Sequence, residues 1–156
     1  MKSTQSDVLK PNKDRTKLEA KSEIKPLAAS KTESENPGQA DFFVKLGRQK
    51  LGSNDLSGAS TSFKKAREYD GRNSDALAGL GEVAFEQGDY SGAATRLKEA
   101  LHIAPSRARY RVLLGQAYYK LGKPKEAAGE YRKVLKSEPN NQEAQHSLQV
   151  AERKLQ

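Results

Sequence analysis

The chain matches itself when it is shifted by 34 residues, from about residue 40 onward and through three copies. Leu46 and Gly47 return as Leu80 and Gly81, then as Leu114 and Gly115. The downstream positions keep the same phase: Ala59, Ala93 and Ala127; Phe63, Leu97 and Tyr131; Ala66, Ala100 and Val134. Pro105 and Pro139 close the second and third copies, where the first has Gly71. A period of this length marks an array of one supersecondary unit, in which each copy buries its apolar face only against the next.

Spacing inside a copy identifies the unit. Leu77, Leu80, Gly81 and Ala84 recur at i, i+3, i+4 and i+7, one face of a helix, and Ala93, Leu97 and Ala100 at i, i+4 and i+7, the stripe of another. Each copy therefore reads as a helical hairpin. Gly47, Gly81 and Gly115 fall in helix interiors, where glycine costs about 1 kcal/mol relative to alanine, so a neighbour is expected to approach closely. Small Ala59, Ala93 and Ala127 are the expected opposite side. Turns follow at Gly88-Asp89 and at Gly122, which precedes Pro124 in the first turn of a helix. The stripe Ala144, Leu148, Ala151 and Leu155 supplies an end helix with one wet face, and Asn140 with Glu143 has the spacing of a capping box. Ala40, at the start of the first helix, has no evident polar cap.

The third copy reads R-x2-L-G-x2-Y, then A-x3-Y, then P; the second reads L-x2-L-G-x2-A, then A-x3-L, then P. This resembles the 34-residue signature of the tetratricopeptide repeat (TPR) family, W-x2-L-G-x2-Y, A-x3-F and P. The resemblance covers residues 40–156, as repeats 40–73, 74–107 and 108–141 and a capping helix 142–156. It implies an all-α fold, a right-handed α-solenoid of seven helices that serves as a non-enzymatic protein-interaction module or adaptor. Lys50 and Arg111 depart from it, standing where the family has large apolar or aromatic residues.

Residues 1–39 are rich in Lys, Ser, Glu and Pro, carry no aromatic residue, and balance eight basic against six acidic side chains. They are expected to form a disordered tail or linker. The same arrangement suits the interaction domain of a larger multidomain protein. No cysteine is present, and His102 and His146 stand far apart, so neither a thiolate metal site nor a clustered-histidine one is expected, and no cofactor. Gly79-Leu80-Gly81 matches only the start of a dinucleotide fingerprint, without a preceding strand, and no Walker, H-E-x-x-H or G-x-S-x-G motif occurs. Nothing in the chain supports an enzyme. The sequence lacks an apolar run of membrane-spanning length and a secretory leader, so a cytoplasmic chain is expected, as a monomer or weak homodimer. The formal charge of +8 raises nucleic acid as an alternative partner. Beyond a local run at Arg107, Arg109 and Arg111, further cations fall on second helices among acids, and no single stripe forms, so nucleic acid is not the expected partner.

If the signature positions face inward, the opposite side of each first helix lines a groove. Those positions hold Val44, Arg48 and Leu51 in the first repeat, Asp75, Ala78, Glu82 and Phe85 in the second, and Arg109, Val112, Gln116, Tyr119 and Lys120 in the third. The end helix adds Glu143, His146, Val150, Arg153 and Lys154. Apolar positions flanked by charges suit a partner peptide or helix. Val44, Leu51 and Val112 stand equally for packing between repeats, whereas Phe85 and Tyr119 are large enough to reach a ligand. Some family members clamp a C-terminal carboxylate. The matching positions are Val44, Arg48, Gly79, Arg109 and Leu113, of which only Arg109 keeps the basic character the clamp implies.

Overall fold

The computed structural model describes residues 36–156. Among them are seven helices and no strand: α1 (Pro37–Gly52), α2 (Leu56–Tyr69), α3 (Ser74–Glu86), α4 (Tyr90–Ile103), α5 (Ala108–Lys120), α6 (Pro124–Ser137) and α7 (Gln142–Arg153). The expected tail lies outside the described residues, apart from Asn36 to Gln39. There α1 starts three residues ahead of the expected boundary at 40, with Pro37 in its first turn and the Asn36 side chain accepting from the Gln39 amide at 3.1 Å. The first helix therefore does have a polar cap.

Short polar side chains start most of the helices. Asn36, Asn73 and Asn141 cap the first helices α1, α3 and α7, while Asp55 and Asp89 cap the second helices α2 and α4. Each leaves one fewer orphan amide in the first turn. The cap of α7 is Asn141, which accepts from the Ala144 amide at 2.9 Å, one residue beyond the expected Asn140. The Gly58 amide, and after it the Lys50 ammonium at 3.0 Å, hold the Asp55 carboxyl below the usual carboxylate range. Lys50 thus finds an ion partner where the family places an aromatic. Between the helices of each hairpin, Asn54, Gly88 and Gly122 take positive φ of 62°, 83° and 72°, one left-handed residue per repeat.

Helices pack against their sequence neighbours, and the first helices α1, α3, α5 and α7 also touch across repeats, whereas the second helices do not touch one another. The stack therefore curves, with the first helices on the inside. Three apolar cores follow one another along it. Val44, Ala59, Phe63, Ala66, Ala76, Leu80 and Val83 join repeats one and two; Leu77, Leu97, Tyr110 and Leu114 join repeats two and three; Val112, Tyr131, Val134, Ala144 and Ala151 seat α7 on repeat three.

The nearest neighbours of the helix glycines are large side chains, and of the expected alanines only Ala93 comes close, its carbonyl oxygen 3.4 Å from a Cβ at Gly81. A Cβ at Gly47 would lie 2.6 Å from the Phe63 ring, one at Gly81 2.9 Å from Leu97, and one at Gly115 2.5 Å from the Tyr131 ring. Gly79 presses on Phe63 from the opposite repeat. Glycine is kept at these positions because a ring or a branched side chain from the second helix lies directly on the backbone. Arg111 enters the core margin by pairing with Glu130 at 3.2 Å and donating to the Pro105 carbonyl at 3.0 Å; Lys133 covers the other Glu130 oxygen. Leu155 lies beyond α7 and is exposed, so the buried stripe of that helix ends at Ala151.

Candidate functional site

Position in the repeat decides the fate of each inner-face residue. Val44, Ala78 and Val112 are 6%, 2% and 2% exposed, because this register faces the neighbouring repeat. They belong to the cores and are not groove contacts.

The polar positions are consumed by one another. Arg48 donates to Asp75 at 2.5 Å, Arg109 donates to both Glu82 oxygens at 2.9 and 3.0 Å, and Gln116 donates to Glu143 at 3.0 Å. Each pair is separated by 27 residues, from one first helix to the next. Asp75 is also reached by the buried Tyr110 hydroxyl at 2.8 Å and by Arg107 at 3.4 Å. A polar ladder therefore runs along the inner face and joins successive repeats. It includes Arg48, Asp75, Glu82, Arg109 and Gln116, all expected as ligand contacts. The ladder includes Arg109, the one clamp position with the expected basic character, which is paired with the Glu82 carboxylate.

Exposed ion pairs contribute about 0.2–1 kcal/mol each. Arg109→Glu is accordingly expected to lower stability by about 1 kcal/mol in urea denaturation, and the swap Arg109→Glu with Glu82→Arg to recover most of that loss. A swap that recovers nothing would show that the two side chains are not coupled.

Leu51, Phe85, Tyr119 and Lys120 remain. Leu51 lines a charged opening with Arg48, Glu82, Glu86 and Arg109, of about 610 Å³. Further along, Phe85, Gln116, Tyr119, Lys120, Tyr131, His146, Ser147 and Val150 enclose a cleft of about 350 Å³ between α3, α5, α6 and α7. Phe85 is set by an edge contact with Tyr90 at 5.2 Å, and the Lys154 ammonium lies 4.8 Å from the centre of the Tyr119 ring. Tyr131 forms the floor, and burial raises its hydroxyl to about 12. Tyr118 is half-buried on α5 and packs against the second and third cores, where burial, then Glu130, raises its hydroxyl.

The cleft gathers Phe85, Gln116, Tyr119 and Lys120 from the expected set and leaves the first repeat out. His146 and Val150 come from the end helix as expected. Tyr131 and Ser147 were not foreseen. Tyr131 reads as a core residue by its repeat position, and it is buried, at 2% exposed, while also standing in the lining of the cleft.

This architecture of phased hairpins, with rings seated on helix glycines, coincides with two family models, both described as tetratricopeptide repeat, which match residues 44–108 and 84–151. The chain belongs to the tetratricopeptide repeat family. No curated protein matches it in sequence. Among solved TPR structures, it is similar to the first TPR of Spaghetti (RPAP3) bound to the HSP90 peptide SRMEEVD. Identity is 22% over 79% of this chain and 98% of that one, with a TM-score of 0.75. It is also similar to the Sgt2 TPR domain from Aspergillus fumigatus, with 19% identity, coverage of 79% and 83%, and a TM-score of 0.73. A third likeness is to YrrB, a TPR protein with an unusual peptide-binding site, with 23% identity, coverage of 70% and 56%, and a TM-score of 0.64. At these identities the likeness is one of fold. No TPR helix among the described residues is long and apolar enough to cross a membrane.

Proposed function

We propose that this TPR chain is a non-enzymatic adaptor that holds a peptide or helix of a partner protein against the inner face of its solenoid, at the cleft between Phe85, Tyr119 and Val150. One observation carries the reading. The polar inner-face groups bond to one another, while the half-buried Phe85 and Tyr119 rings line an apolar cleft. Rings of this kind are the side chains that most often dominate binding energy. Support comes from TPR structures of the same fold, one bound to an HSP90 peptide and another to an HSP70 peptide.

The test is a displayed peptide library selected on the full chain, followed by titration of the selected peptides. Phe85→Ala with Tyr119→Ala is expected to leave the helical circular dichroism unchanged and to weaken binding by roughly thirtyfold or more, the effect of a hot spot of about 2 kcal/mol. Unchanged affinity in a folded variant would remove the cleft from the account.

A further inference from the structure

Charge along the inner face is not evenly spent. Toward the first repeat, the ladder sets Arg48 against Asp75 and Arg109 against Glu82. Around the cleft the balance is different. Glu143 is occupied by Gln116, a neutral donor, and Glu152 pairs with Arg132. Lys120 lines the cleft, and Lys154 lies over the Tyr119 ring; among the described residues neither takes part in an ion pair, and nor does Arg153. An apolar hollow therefore has the Lys120 ammonium in its lining and the Lys154 ammonium over the ring of Tyr119 beside it, neither ion-paired among the described residues.

Resting on the peptide-binding reading above, we infer that the cleft takes an apolar side chain of a partner segment whose flanking residues are acidic, with Lys120 and Lys154 receiving the flanking carboxylates. The hollow of about 350 Å³ lies near the lower end of ligand pockets, so it admits a bulky side chain and not a folded surface. Lys154 makes the two contacts interdependent. Its ammonium lies over the Tyr119 ring, 4.8 Å from the centre. An acidic neighbour of the anchor draws it toward the rim as the anchor takes its place on the ring, exchanging a cation–π contact for an ion pair. A basic flank meets two like charges instead, and a neutral flank leaves Lys154 on the ring.

The experiment measures fluorescence anisotropy of synthetic peptides on the full chain, each with one Leu or Phe anchor flanked by Asp and Glu, by Ser, or by Lys. The acidic set is expected to bind roughly tenfold tighter than the Ser set, as two rim ion pairs imply, and to lose this advantage as salt rises. Lys120→Glu with Lys154→Glu, both at exposed positions, is expected to reverse the order in favour of the Lys-flanked set. Equal binding of all three sets, still abolished by Phe85→Ala with Tyr119→Ala, would overturn the acidic preference and leave the groove reading standing. Absence of binding by every set would overturn both. A synthetic peptide of residues 1–35, or an oligo-dT single strand, that occupies the same residues more tightly than the acidic set would also overturn the assignment of the occupant.

Discussion

Phe63→Ala is expected to lower the stability of the solenoid by about 3–5 kcal/mol, the cost of emptying a fully buried aromatic site. The ring is 0% exposed and sits between two glycines, Gly47 of α1 and Gly79 of α3, so it fills the space between three helices. Neither glycine has a side chain to move into the void. Native domains are stable by only about 5–15 kcal/mol, so this loss takes a large share of the total. Because each repeat is held chiefly by its neighbours, the damage should be local. Hydrogen exchange is expected to rise in α1 and α2 well before α5 and α6. A loss below about 1 kcal/mol in denaturant titration would contradict the packing described for this ring.

Tyr131→Ala is expected to cost about as much, roughly 3–5 kcal/mol, and to weaken peptide binding as well. Its ring lies on Gly115, is 2% exposed, and forms the floor of the cleft. Tyr131→Phe separates the ring from the hydroxyl. Burial pushes that hydroxyl from 10.0 up to about 12. Below pH 10 it is protonated in the folded and the unfolded chain, and its contribution is fully present. Between pH 10 and about 12 the unfolded chain gives up the proton while the folded chain retains it, so stability falls as pH rises through this window. The Phe variant should match the parent near neutral pH and lose less of its melting temperature between pH 10 and 12. Burial raises the Tyr110 and Tyr118 hydroxyls too, which leaves some alkaline loss in the variant. Identical alkaline melting curves for parent and variant would show that the Tyr131 hydroxyl is not held in a dry site.

The repeat made the helices legible because the 34-residue phase and the apolar stripes report the same hairpin from independent signals. Its glycines were legible as sites of close approach, but the identity of the neighbour was not. Spacing shows that Gly47 needs room; only the rotamer of Phe63 shows that a ring uses it. Residues on one helix face were likewise visible in the sequence, though not their division into core, ladder and cleft. Val44, Ala78 and Val112 go to the core because the next first helix lies against that edge. Arg48 with Asp75, Glu82 with Arg109, and Gln116 with Glu143 are complementary at a constant 27-residue separation. That pairing could have been read from the chain by comparing position nine of one repeat with position two of the next. The place of Tyr131 in the cleft lining had no such signal, because its repeat position marks it only as core, which its burial bears out.

Amide chemical-shift mapping tests most directly where a ligand meets the solenoid. The full chain would be titrated with the tightest peptide selected from the library. The account predicts that the largest shifts fall on Gln116, Tyr119, Lys120, His146 and Val150, the residues around the inner cleft. Shifts concentrated instead on Arg67, Lys98, His102 and Ile103, which line the opening along α2 and α4, would contradict it.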